Sequence, residues 1–284
     1  MIPAAFDYTA PSTVEDAVRA LAESGEDAKV IAGGQSLIPV LRMRLAAPTT
    51  LVDIGRVPEL RGIRDDGDEL VIGATTTHYE VQRDPLVRVH APLLRAATDT
   101  VADPQVRHRG TFGGALVHAD PAGDLLAPTL ALDAELVLHG PAGRRTVAAA
   151  DFFTDYFTTA LRQDELLVAV RIPKHTGWGA HYEKFSRVAQ AWSIVAVAVA
   201  VRVEGGVIAE ARVALTNMSA VPVRADAVER ALVGSPATAE SIKAAAAHAA
   251  EGTSPTADGD ADVAYRQHLA RVLTSRAVTA AVGA

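Results

Sequence analysis

AKVIAGGQSLIPVLRMRLAAPTTLVDI, residues 28–54, decides how this chain folds. Ala28 to Ala32 is the apolar run of a short buried strand, and Gly33-Gly34-Gln35 breaks it. Ser36 is placed to cap a helix running to about Leu45, with Pro39 in the first turn, where a missing N–H does no harm. Leu51 to Ile54 reads as the next strand. A strand, a glycine turn, a helix and a strand in that order imply a right-handed crossover. Upstream, Ser12 to Glu15 has capping-box spacing. Val14, Val18, Leu21 and Ala22 there share one face of a helix that ends near Gly25.

Downstream, Asp65 to Asp68 is a turn before a strand over Glu69 to Ala74, and Thr77 can cap a short helix. A helix over Leu93 to Val101 stops at Asp103-Pro104. A second glycine turn follows, Gly110-Thr111-Phe112-Gly113-Gly114, then an apolar helix from about Asp124 to Leu132 and a strand over Glu135 to His139. The Pro/Gly stretch Pro173 to Gly179 marks a domain boundary. Beyond it, strands over Ser193 to Val203 and Val207 to Asn217 flank Glu204-Gly205-Gly206, a hairpin signal. Helices over Arg224 to Val233, Ala237 to Glu251 and Asp262 to about Val282 follow. A sheet with helices segregated behind it is an α+β arrangement.

The 284 residues suit one large domain or two modest ones. Nearly half are apolar, mostly Ala and Val, which suffices for a substantial core. A net charge of −7 and the lack of a Lys/Arg run argue against nucleic acid as a partner. The most apolar run, Ile194 to Val201, is too short for a transmembrane segment. The N-terminus has neither a basic nor a long apolar region, so a cytoplasmic location is expected. The absence of cysteine excludes disulfides, Cys-ligated zinc, an iron–sulfur cluster within this chain and a cysteinyl cofactor link. The nine histidines show no H-E-x-x-H or H-x-H pairing, and no metal site is expected. Ser36 is not in a G-x-S-x-G elbow, and no carboxylate pair suggests a glycosidase.

The two glycine turns carry the chemistry. In Ala32-Gly33-Gly34-Gln35-Ser36, glycines let the backbone turn sharply and approach a ligand. The N–H groups of Gly34, Gln35 and Ser36 would open a helix, where unpaired amides and the macrodipole favour an anion such as a pyrophosphate. In Thr111-Phe112-Gly113-Gly114-Ala115, paired glycines again expose amides and the Thr111 hydroxyl adds a donor. Each turn alone is more often an ordinary βα or tight turn; two together suit a dinucleotide phosphate bridge held from both sides. Neither G-x-G-x-x-G nor G-x-x-x-x-G-K-[ST] is present, so a Rossmann or P-loop assignment has no support.

Four motifs in order carry a resemblance: Ala32 to Ser36 followed by Leu37-Ile38-Pro39; Ala102-Asp103-Pro104-Gln105-Val106-Arg107; Arg109-Gly110-Thr111-Phe112-Gly113-Gly114; and Asp120-Pro121-Ala122-Gly123-Asp124. The chain resembles the FAD-binding medium subunits of carbon monoxide dehydrogenase-type molybdenum hydroxylases, and the FAD domain of xanthine dehydrogenases. Leu166 to Pro173, Tyr182-Glu183-Lys184, Leu215-Thr216-Asn217 and Tyr265-Arg266 also sit in that family's order, so the likeness covers essentially the whole chain. It implies a PCMH-type FAD-binding domain over 1–175, of two α/β subdomains (about 1–55 and 56–175), then a smaller α+β domain over 176–284. It implies non-covalent FAD held by Ala32, Gly33, Gly34, Gln35 and Ser36 and by Thr111, Phe112, Gly113, Gly114 and Ala115. Asp124 matches a carboxylate that hydrogen-bonds the cofactor. Leu167 and Lys184 match positions near the flavin, and Trp192 an aromatic beside the isoalloxazine ring. No catalytic residue is implied on this chain.

Three departures from the family pattern stand out: Gln35 replaces the more usual His, Ala115 an Asn, and Phe112 a smaller aliphatic residue. Asp124 taken alone is most often a helix N-cap, Lys184 a solvated strand lysine and Trp192 a packing residue. The cluster Asp103, Arg107, His108 and Arg109 reads as a solvated loop, which the resemblance would put beside the flavin. The resemblance further implies a large molybdopterin-binding partner and a small iron–sulfur partner, in a dimer of heterotrimers. Molybdenum and clusters would sit on those chains, and FAD here would pass electrons to an external acceptor. A self-contained FAD-dependent reductase or oxidase of the same fold is one alternative; a scaffold that kept the fold and lost the cofactor is another. The intact glycine pairs count against the latter.

Overall fold

The computed structural model describes residues 2–283 and contains three main sheets. The first is small and parallel, with Asp7–Thr9 and Ala28–Ile31 both paired to a central Thr50–Asp53. Thr13 caps the helix Val14–Glu23 by accepting from the Asp16 amide, and the buried face Val14, Ala17, Val18 and Leu21 packs on Ala28, Val52 and Ile54. The opening stretch thus folds as read, with two differences. The cap before Val14 is Thr13 and not Ser12, one residue on from the Ser12 to Glu15 capping-box spacing. The second difference follows the glycine turn. The helix after the glycine turn is only Leu37–Arg42, and Ser36 makes no capping hydrogen bond. Ser36 already has helical angles, which turn its hydroxyl away from the amides a cap must reach.

The second sheet is antiparallel and orders Ile63–Asp66, Glu69–Gly73, Leu166–Pro173, Glu135–Gly140 and Gly143–Ala148 side by side. Helices from the long insertion between Gly73 and Glu135 cover it. Thr77 caps the start of His78–Arg83, as the sequence suggests, and the structure adds Glu80 as its partner in a reciprocal capping box. Phe112, Leu93, Leu94 and Leu116 are fully buried beneath these helices.

The third sheet, also antiparallel, runs Gly179–Phe185, Val195–Glu204, Val207–Thr216 and Val223–Arg224. The hairpin at Gly205-Gly206 is as expected: both residues have positive φ, the requirement of a tight two-residue turn. Alternation along Val195–Glu204 sorts its side chains. Val195, Val197, Val199 and Val201 face the C-terminal helices Asp226–Leu232, Ala239–Ala246 and Val263–Val282. Ala196, Ala198 and Ala200 face the other way, into one core with Leu93, Leu94 and Leu130. The strand reads as a continuous apolar run because both faces are covered. Alanine on one face lets the helices Pro92–Asp99 and Leu126–Ala131 approach the sheet closely. The fold is mixed α/β followed by a smaller α+β unit, as the sequence implies. Among the described residues no helix is long and apolar enough to cross a membrane.

A buried ion pair joins the two units. The Lys184 ammonium lies 2.8 Å from Asp124 Oδ2, with both side chains almost fully buried. Tyr182 and Ser193 donate hydroxyls to Asp124 Oδ1 at 3.0 and 2.9 Å. Burial lifts the Asp124 carboxyl above its ordinary range, and Lys184, Ser193 and Tyr182 pull it back. A carboxyl raised in the folded state holds its proton more tightly there than in the unfolded chain. Its contribution therefore favours folding at low pH and is lost as pH rises through the folded-state value. Lys184→Met strands the carboxylate and should cost about 3–5 kcal/mol at neutral pH. The deficit should shrink on acidification, as Asp124 takes up a proton. Denaturant melts of the cofactor-stripped protein at pH 5 and pH 8 measure it. A deficit independent of pH would place the loss in packing and not in the stranded charge.

Candidate functional site

One cleft of about 910 Å³ opens where the three sheets meet. Ala32, Gly33, Gly34, Gln35 and Ser36 line it, as do Thr111, Gly113, Gly114 and Ala115, with Asp124, Leu167 and Trp192. The structure thus gathers residues from positions 32 to 192 into one wall. Two residues of the sequence reading stand apart. Phe112 does not line the cleft; its ring is fully buried in the main core. Lys184 does not line it either, but touches Asp124, which does. Trp192 is 56% exposed, so it is not a core residue. Asp124 is not a helix cap: the helix Leu126–Ala131 has no side-chain cap, and Asp124 spends its oxygens on Lys184, Tyr182 and Ser193.

The glycines act through close contact. A Cβ on Gly33 would collide with the Arg109 carbonyl oxygen and come within 2.8 Å of Gly110 Cα. The two loops therefore touch backbone to backbone. Gly34 has φ +75, a conformation few other residues adopt readily. A Cβ on Gly113 would sit 2.6–2.7 Å from Ala74, and the nearest atoms include backbone. Gly113 thus serves the packing of the helix Phe112–His118 on the end of Glu69–Gly73, rather than leaving space for a ligand.

The amides of the two loops differ. In the first, the N–H groups of Gly33, Gly34, Gln35 and Ser36 find no acceptor among the described residues. The Gln35 side chain turns back to the Gly33 carbonyl and leaves them uncovered. In the second, every amide at the helix start is committed. Phe112 donates to Thr76 and Gly113 to Ala74, both at 2.9 Å, Gly114 to the Thr111 hydroxyl at 3.2 Å and Ala115 to the Thr111 carbonyl at 3.0 Å. The expectation of exposed amides in both loops holds for the first and is corrected for the second. Thr111, read as an added donor, is a helix cap whose hydroxyl accepts from Gly114.

The charged cluster before the second loop is structural. Asp103 caps Pro104–Arg107, Arg107 donates to the Val101 and Ala102 carbonyls, and His108 stacks on Tyr79 with ring centroids 3.9 Å apart. None of Asp103, Arg107, His108 and Arg109 lines the cleft. His78, His118 and Phe157 do, and the sequence reading passed over them. The only sequence signal for His78 was its place just after the Thr77 cap.

Residues 4–175 match the family described as FAD binding domain in molybdopterin dehydrogenase. Residues 180–281 match that described as CO dehydrogenase flavoprotein C-terminal domain. The chain is 41% identical over 284 residues to the carbon monoxide dehydrogenase medium chain of Hydrogenophaga pseudoflava, covering 99% of this chain and 98% of that one. It is 31% identical over 283 residues to an xanthine dehydrogenase FAD-binding subunit of Escherichia coli O157:H7, covering 98% and 96%. The solved structure of carbon monoxide dehydrogenase from Hydrogenophaga pseudoflava superposes with a TM-score of 0.97 at 43% identity, over 100% of this chain and 99% of that one. Quinoline 2-oxidoreductase from Pseudomonas putida 86 gives 0.95 at 34%, with the same coverage. The chain belongs to the FAD-binding flavoprotein family of the molybdopterin dehydrogenases, whose members are subunits of multi-subunit oxidoreductases.

Proposed function

We propose that this chain carries FAD in the cleft and relays electrons for a molybdenum hydroxylase. They would arrive from iron–sulfur clusters on a small partner, after oxidation of substrate at a molybdopterin centre on a large one, in a dimer of heterotrimers. The observation that carries the reading is the set of four uncommitted amides from Gly33 to Ser36, facing a cleft of dinucleotide size. Backbone N–H groups in a fixed turn bind a phosphate oxygen without reorganising. Bound FAD supplies the capacity to take up and release electrons; the protein supplies binding and orientation.

In this assignment Ala32 to Ser36 hold the pyrophosphate. Thr111 and the helix start at Gly113-Gly114 line the opposite wall, with Ala115 beside them, and Phe112 supports that helix from the core. Leu167 and Trp192 flank the ring. Asp124, held by Lys184, offers the cofactor an acceptor. The boundary between the FAD-binding domain and the smaller C-terminal domain lies near residue 175.

Protein purified with its partner subunits should release FAD on denaturation. Chromatography of the freed flavin checks this, and FMN, or no flavin after reconstitution with excess FAD, overturns the reading. Gly34→Ala and Gly205→Ala each force a side chain into positive φ, at about 1–2 kcal/mol of backbone strain. Gly34→Ala must in addition displace the tip of Ile38, 2.7 Å from the added Cβ, where Gly205→Ala meets nothing, so its melting temperature should fall at least as far. Only Gly34→Ala should weaken FAD retention, by tenfold or more. Equal retention would make the first loop merely a turn. Trp192→Ala should brighten bound-flavin fluorescence, because a stacked indole quenches emission by electron donation. Trp178, packed edge-on to His175 and under Arg212, is the control. Brightening by Trp178→Ala alone would remove Trp192 from the ring.

A further inference from the structure

His78 opens the helix His78–Arg83 and is 4% exposed. Its amide donates to the Gly110 carbonyl at 3.0 Å. Its ring lies behind Gly110, where an added Cβ would come within 2.8 Å of Cδ2 and 3.0 Å of Nε2. Gly110 is also the residue against which Gly33 packs. The imidazole therefore stands directly behind the point where the two glycine loops meet, and it lines the cleft.

Its two nitrogens are not equivalent. Nδ1 is sealed from solvent and has no partner. Nε2 also has no hydrogen bond among the described residues, but it is not sealed. A buried N–H without an acceptor is among the rarest defects in native proteins. The proton is therefore better placed on Nε2, which leaves Nδ1 with an unused acceptor lone pair and makes Nε2–H, on the side of the ring that faces Gly110, the free donor. Burial first, and the Arg107 guanidinium second, hold the imidazole down to about 4, so it is neutral at physiological pH. Among the described residues no carboxylate or carbonyl accepts the Nε2 proton. On this side of the cleft the amides from Phe112 to Ala115 are already spent; the unspent donors include the Thr111 amide, the Thr111 hydroxyl proton and His78.

We propose that His78 is a cofactor-binding residue whose Nε2–H donates a hydrogen bond to the phosphate bridge of the dinucleotide, completing from behind the loop junction the cradle that Gly33 to Ser36 begin. The proposal rests on the FAD reading and specifies one of its contacts. It also gives the Nε2 proton an acceptor, which arrives with the cofactor, while Nδ1 keeps a buried lone pair with no donor.

Two substitutions separate binding from packing. His78→Phe keeps a flat ring behind Gly110 without a donor. His78→Gln restores a neutral N–H near the Nε2 position. The complex with its partner subunits is stripped of flavin and titrated with FAD, and each stripped variant is melted. Loss of a hydrogen bond to a charged group should raise the dissociation constant of His78→Phe about tenfold to a hundredfold. His78→Gln should recover most of that, and the stripped proteins should melt within a few degrees of one another. In ¹⁵N-histidine spectra, the His78 Nε2 resonance should keep its protonated-nitrogen shift and move when FAD is added. Unchanged affinity in His78→Phe, an equal loss in both variants, or a His78 signal indifferent to FAD overturns the proposal while leaving FAD binding intact. Failure of the unsubstituted protein to bind FAD would remove both.

Discussion

The cleft depends on a contact between two pieces of bare backbone. Gly33, at the end of the parallel sheet, lies against the Arg109 carbonyl and Gly110 Cα, on the loop leading to the second sheet's helices. Further contacts of the same kind continue inward: Gly110 against His78, Gly113 against Ala74, and Gly73 against the Leu60 carbonyl. At Gly33, Gly73 and Gly113 an added Cβ meets main-chain atoms, which cannot swing aside as a side chain can. The first loop is thus clamped onto the body of the protein, and its amides point where they do before any ligand arrives. Such preorganisation removes an ordering cost from binding.

The clamp explains why the two glycine loops, alike in sequence, do different work. A helix start has N–H groups to satisfy. Phe112 and Gly113 satisfy theirs on Thr76 and Ala74, because the capping box at Thr77 brings that segment alongside. The first loop has no such neighbour, and its amides stay open. The departures from the family pattern fall unevenly as a result. Gln35 folds onto its own loop's carbonyl and leaves the open amides as they were. Ala115 removes a side-chain donor from the loop whose amides from Phe112 to Ala115 are all engaged. Binding strength on that side then falls to the Thr111 amide and hydroxyl and to His78.

The strands Ala28–Ile31, Thr50–Asp53, Glu69–Gly73, Glu135–Gly140, Val195–Glu204 and Val207–Thr216, the hairpin at Gly205-Gly206 and the cap at Thr77 are legible in the sequence, since each rests on local chemistry. Helix lengths were less so: Ser36 looks like a cap, but its helical backbone denies it that role. The edge strands Ile63–Asp66 and Gly143–Ala148 are not legible because they are polar and mostly exposed. Leu166–Pro173, apolar and central in the same sheet, is read in the sequence only as a family motif and not as a strand. In the site, paired glycines revealed where the chain bends but not which amides stay free. That depends on acceptors at Ala74 and Thr76, nearly forty residues upstream of Gly113. Asp124 looked like a cap because an aspartate before a helix usually is one. Its real partners, Tyr182, Lys184 and Ser193, lie some sixty residues downstream on another sheet.

Those partners also show what the C-terminal unit contributes. Its alanine face shares a core with the helices Pro92–Asp99 and Leu126–Ala131, so the unit is a wall of the cleft and not an appendage. Three contacts fix the chain just after Trp192, and a fourth ties down Asn217, one of its partners. The Ser193 hydroxyl donates to Asp124, and the Ser193 carbonyl accepts from Asn217 at 2.8 Å. The Ile194 carbonyl accepts from the buried Arg266 on the long C-terminal helix, and the Asn217 amide donates to the Pro121 carbonyl at 2.9 Å. The segment that bears Trp192 is therefore anchored at its base from both units, while the indole itself stays largely exposed. A side chain held in that way can present a flat face at a defined position without being locked into a core. The charged pair at Asp124 costs desolvation that an apolar pair would not. What it secures is the register between the wall that carries Trp192 and the loops that carry the open amides.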